Sequence, residues 1–235
     1  MRSLITALDA MAVLREEMLL RGGSLVGAAT LAELAGAEGV RIGLCEDLRP
    51  VGEADLRDLR RSSRTLELRM APLPSLVKCA LEARPDRVVL AAESRSSGHR
   101  TGPLDFHAWG NALPPVIRTL EEAGIAVTAR IAPNPEAVKA ARALDLRALE
   151  FEGGQLVDLP LAELERGLEA LSDGARLGAK LGLRLGIGGR LDERVLGPLL
   201  AAAPGLEWVA VGREWVARCL LTGVDRATRD LRARL

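Results

Sequence analysis

Residues 126–151, AVTARIAPNPEAVKAARALDLRALEF, decide the fold. Ala126–Ile131 and Ala148–Phe151 are short apolar runs with little strict polar alternation, the pattern of strands buried on both faces. Between them Pro135 opens an amphipathic stretch, Glu136–Leu144, long enough for one crossover helix. The same unit recurs outward in both directions. Further apolar runs lie at Leu4–Leu8, Val40–Leu44, Thr65–Met70, Arg87–Ala91, Arg184–Ile187 and Trp208–Val211, each followed by a stretch of helical length. Eight βα units in 235 residues match a single (β/α)8 TIM barrel occupying residues 1–235. Chemistry is therefore sought at the C-terminal end of each strand.

Composition narrows the function classes. Acidic and basic residues number 32 each, so no overall field recruits nucleic acid or an anionic membrane. No stretch approaches the roughly 20 apolar residues of a transmembrane helix, and Met1–Ala10 lacks the layout of a signal peptide. Cys45, Cys79 and Cys219 have neither zinc nor disulfide spacing, so no metal is expected and a reducing cytoplasm is. Tyr is absent and His occurs only at His99 and His107, so few side chains are suited to proton transfer near neutral pH.

Helix signals are ordinary: Pro74 before Ser75–Ala83, Asp192 as a cap for Glu193–Ala203, Gly223 between the last two helices. Leu161–Leu181 reads as the longest helix, or as two broken near Ser172–Gly174. Two segments exceed an ordinary βα loop, Met11–Ser24 and Ser94–Ala112. The second is read as a lid over the mouth, residues 94–112.

Aligned on its strand ends, the chain resembles the pyridoxine 5′-phosphate synthase family. The resemblance is carried by ALDAMAVLR (7–15), LAGAEGVRIGLCEDLRPVGEAD (34–55) and GREWVARCLLTG (212–223), with further likeness at 95–105 and 181–191. It implies a (β/α)8 enzyme that forms the vitamin B6 ring from deoxyxylulose phosphate and an aminoketone phosphate, and that assembles into oligomers. Asp9, Glu46, Asp47, Arg49 and Glu150 match the family pattern. Departures fall on its chemistry. Ala10, Gly43, Pro50, Gly189 and Arg213 stand where the family motifs have His, and Arg69 where they have Glu. A guanidinium stays protonated and cannot serve as a general base.

The candidate site follows. Asp9 and Glu150 are the candidate catalytic bases. Gly188, Gly189, Gly212 and Arg213 are candidate phosphate ligands, through backbone N–H groups and a helix N-terminus. Arg69, Arg130, Glu46 and Glu152 are expected to line the mouth, with Asp47 and Arg190 near them. Two readings of this set stand side by side: an open pocket for a phosphorylated small molecule, or acids and arginines paired into a plug. With the family's proton relay replaced, the leading expectation is a non-catalytic ligand-binding, scaffold or assembly protein without synthase activity or cofactor. It would act as a homo-oligomer or with a protein partner. The alternatives are an enzyme of altered chemistry on a phosphorylated small molecule and an active pyridoxine 5′-phosphate synthase.

Overall fold

The computed structural model describes residues 1–20, 22–93 and 101–235. Eight parallel strands form a closed barrel: β1 (Ser3–Ala7), β2 (Gly39–Gly43), β3 (Leu66–Met70), β4 (Arg87–Leu90), β5 (Ala126–Ile131), β6 (Ala148–Glu152), β7 (Arg184–Gly188) and β8 (Trp208–Val211). Neighbours follow chain order, and β1 pairs with β8 to close the ring. This is the (β/α)8 barrel that the apolar runs predict.

Ten helices among the described residues matter here. They are α1 (Asp9–Glu17), α2 (Leu25–Leu34), α3 (Glu53–Ser62), α4 (Pro74–Ala83), α5 (Leu113–Glu122), α6 (Pro135–Ala143), α7 (Leu161–Lys180), α8 (Glu193–Ala202), α9 (Arg213–Thr222) and α10 (Val224–Arg232). None of the described helices is long and apolar enough to cross a membrane.

Alternate strand residues such as Leu4, Ile42, Leu68, Leu90, Phe151 and Ile187 face outward and join Leu59, Leu76, Leu120 and Leu199 of the helices in one buried cluster. Two expectations change in detail. The start of the long segment Met11–Ser24 is helical, because Ala10–Glu17 contains neither Gly nor Pro and is rich in strong helix formers. The long helix α7 is unbroken: a Cβ on Gly174 would lie 3.2 Å from the Asn134 carbonyl carbon, so this glycine permits close approach to the start of α6 rather than a break. Of the expected lid, residues 94–100, His99 among them, lie outside the described residues. Thr101–Gly102 pairs antiparallel with Ala92–Glu93, and the Leu104 amide donates to the Arg130 carbonyl at 2.7 Å, tying the remainder to β5.

The barrel interior is where this molecule departs from the Val/Ile/Leu filling usual for the fold. Arg41 on β2 reaches across to Glu150 on β6, with contacts of 2.7 and 2.6 Å, and pairs with Glu67 on β3 at 2.7 Å. Arg130 on β5 holds Glu150 at 2.5 Å and Glu152 at 3.2 Å, while Glu67 also takes Arg87 at 2.8 Å. The six side chains form a line Arg87–Glu67–Arg41–Glu150–Arg130–Glu152 along the axis. Its inner four members are at most 2% exposed. The line starts at a cavity of about 640 Å³ at the N-terminal end, bordered by Glu67, Arg87 and Trp208, and ends at a second cavity at the C-terminal end. Trp208 fills the interior below Glu150, and its Nε1 donates to that carboxylate at 2.9 Å. Neighbouring Gly186 is bare because any Cβ there would clash with the Trp208 ring.

Candidate functional site

The C-terminal cavity measures about 620 Å³. Asp9, Arg41, Arg69, Arg130 and Glu152 line it from the strand ends, and Gly189, Arg190, Gly212 and Arg213 from the turns above. Val13 and Leu14 of α1 with Val216, Ala217 and Leu220 of α9 give it an apolar wall. Both earlier readings hold a part of this: the inner charges are paired, and space remains above them.

Asp9 opens α1 directly after β1. Its Oδ1 accepts from the Gly43 amide at 2.7 Å and from Arg69 Nη2 at 3.0 Å. Its Oδ2 and Arg69 Nε are buried without a protein partner. Burial pushes the Arg69 guanidinium down from its ordinary value, with Asp9 opposing the shift. Gly43 is what admits the pair: a Cβ there would lie 2.5 Å from Arg69 Nη2 and against Asp9 Oδ1. Gly43→Ala is therefore expected to push the two ions apart and to lower stability by about 1–3 kcal/mol. Urea unfolding measures the loss.

Glu152 closes β6. Its Oε1 accepts from the Gly154 amide at 2.9 Å, and its Oε2 from Arg130 at 3.2 Å. Burial raises the pKa of its carboxyl, and the pull of Arg130 only partly offsets this. Glu150, two residues earlier, is the reverse case. Burial alone would raise its pKa, but Arg41, Arg130 and the Trp208 N–H hold it well below the usual carboxylate range.

The turn after β7 and the start of α9 form the rim. Gly189 has φ +98°, and a Cβ there would clash with the Glu152 carboxylate. Arg190 is paired with Asp158. Gly212 precedes α9, a Cβ on it would lie 3.3 Å from that of Ala7, and Arg213 is exposed at the first turn of the helix.

Of the residues proposed from sequence, Asp9, Arg69, Arg130, Glu152, Gly189, Gly212 and Arg213 meet at this cavity. Three do not. Glu46 is exposed on the turn after β2 and away from the cavity wall. Gly188 is buried; a Cβ on it would lie 3.0 Å from Arg130 Nη2 and clash with Glu150, so it makes room for that ion pair. Glu150 is fully buried behind Arg41 and Arg130, with its oxygens occupied by donors, which argues against its expected role as a base. Arg41 was missed. A charge in the middle of a run otherwise apolar, VRIGL, is the signal that should have raised it.

The chain is a (β/α)8 barrel with an arginine-walled cavity at its strand ends, the place where enzymes of this fold hold their active sites. The chain matches the family described as Pyridoxal phosphate biosynthesis protein PdxJ over residues 4–235, and it belongs to that family. It is 35% identical over 234 residues to the pyridoxine 5′-phosphate synthase of Synechococcus sp. (strain JA-2-3B'a(2-13)), covering 99% of this chain and 98% of the relative. It is also 35% identical over 229 residues to the synthase of Geobacter metallireducens, covering 95% and 94%. Among solved structures, the tryptophan synthase alpha subunit of Legionella pneumophila aligns with a TM-score of 0.62 at 14% identity over 99% of this chain and 92% of that one, a likeness of fold alone.

Proposed function

We propose that the chain is an enzyme of the pyridoxine 5′-phosphate synthase kind, holding a phosphorylated small molecule in the mouth cavity. The observation that carries this is a 620 Å³ space that stays open above the paired charges, walled by Arg69, Arg130 and Arg213. Both synthases compared above carry an enzyme's name, which favours this reading over the expectation of a non-catalytic scaffold. The phosphate sits where Gly189, Gly212 and the N-terminus of α9 meet, with Arg213 supplying charge. Asp9 faces the ligand. Glu150 does not; it braces Arg41 and Arg130.

A second reading, a ligand-binding protein without turnover, is favoured by one feature: among the described residues lining the cavity there is no His, Lys, Cys or Tyr. Ring formation from deoxyxylulose phosphate and an aminoketone phosphate tests the first reading directly. Inorganic phosphate is expected to raise the melting temperature, and Arg213→Ala to weaken its binding roughly tenfold, the loss of one charge-assisted contact. Binding without product leaves only the second reading, and no binding removes both. Homo-oligomer formation belongs to the same proposal. Leu19, Leu220 and Leu221, at 84, 72 and 86% exposed, are the apolar surface that it would cover.

A further inference from the structure

Strand β6 ends in two inward carboxylates, and the structure treats them unequally. Glu150 takes two contacts from Arg41, two from Arg130 and one from Trp208. Glu152 is left with the Gly154 amide and the longer Arg130 contact, and it alone of the two borders the cavity. The turn opposite is shaped around it, since Gly189 must lack a side chain for the Glu152 carboxylate to fit and has a left-handed φ that favours glycine. We propose that Glu152 is the residue through which the mouth exchanges protons with its ligand.

The proposal rests on the mouth being a working site. The charged groups facing Glu152 are Arg130 from β5, Glu150 on its own strand, Arg69 from β3 and, across the β7 turn, Arg190, which Asp158 engages. Burial and Glu150 raise the carboxyl pKa, while Arg130, the Gly154 amide and Arg69 lower it, and the balance is upward. A neutral Glu152 can break its own O–H bond as an O–H bond forms on the ligand. The carboxylate left behind accepts from Arg130 and the Gly154 amide, and it is reset by taking a proton from the ligand or from water. Asp9 is the other carboxylate at the cavity; its Oδ1 is held by Arg69 and the Gly43 amide, and its Oδ2 has no protein partner.

Carbon-13 labelling of glutamate carboxyls tests this by NMR titration. One glutamate signal is expected to titrate above the ordinary carboxylate range in the full chain, to vanish in Glu152→Gln, and to move when inorganic phosphate is added. If every glutamate titrates at or below the ordinary range, or if the high-titrating signal survives in Glu152→Gln, the proposal is overturned. Should the Gln variant lose its fold, Glu152→Asp serves: the high glutamate signal must disappear from the glutamate-labelled protein there too. Calorimetry with phosphate on the unmodified chain reads the pocket separately, so absent binding sinks the mouth reading and an ordinary titration sinks this one. If the two synthase substrates yield product, Glu152→Gln is expected to lower kcat about 100-fold or more with little change in KM. An unchanged kcat would refute the proton role.

Discussion

Glu150→Ala is expected to lower the unfolding free energy by about 3–5 kcal/mol, because it removes one member of a buried ion pair and strands the others. Arg41 and Arg130 would each keep a guanidinium out of water, and Trp208 Nε1 would lose its acceptor. Denaturant unfolding measures the loss, and a change below about 1 kcal/mol would mean that water enters to replace the carboxylate. Glu150→Gln preserves the shape and separates charge from volume. The pH dependence has a definite sign. The Glu150 carboxyl sits below its ordinary value in the folded chain, so its contribution is complete above the unfolded value of about 4.3 and is lost as the pH falls toward the folded one. Acid below the ordinary carboxylate range should therefore erode the stability of the natural chain more steeply than that of the Gln variant.

Trp208→Ala should cost about 3–5 kcal/mol through the cavity it leaves. The ring is 2% exposed, lies 4.8 Å beneath the Arg87 guanidinium and occupies the space that Gly186 vacates. Coupling makes this loss diagnostic. Gly186→Val alone overpacks the ring, at about 1–3 kcal/mol. In the double variant the new valine enters the volume left by the indole, so the combined loss should be smaller than the sum of the two. Strict additivity would show that Gly186 and Trp208 do not share that space.

The barrel was legible because each run lies in a strand whose outward residues meet helices. Its bounds shift by a residue or so, as at β1, Ser3–Ala7 against the run Leu4–Leu8. That small uncertainty mattered more for the site than for the fold. Inward side chains recur every second residue, about 7 Å apart along a strand. Glu150 and Glu152 thus lie one step apart in depth, yet one is sealed and the other borders the cavity. Gly188 and Gly189 divide similarly. Glu46 failed for another reason: it follows β2 by three residues, where the chain has already turned outward. The substituted positions were visible in sequence as losses. What was not visible is that Gly43 and Gly189 make space for the ions at Arg69 and Glu152, because such contacts join residues separated by a whole βα unit. Arg41 and Glu67 were passed over because periodicity marks a strand without saying which charge crosses the axis to meet another.

The axial line of six alternating charges also constrains how this sequence can drift. A core of leucines tolerates change one residue at a time, since most swaps of similar volume cost less than about 1.5 kcal/mol. Here Arg41, Glu67, Arg130 and Glu150 each answer to at least two others, so any lone replacement passes through a strongly penalised intermediate. Wholesale conversion of the line to packed hydrocarbon carries no such penalty. The lineage is therefore held at its present solution by the steepness of the first step away from it, and descendants should inherit these residues as a set or lose them together.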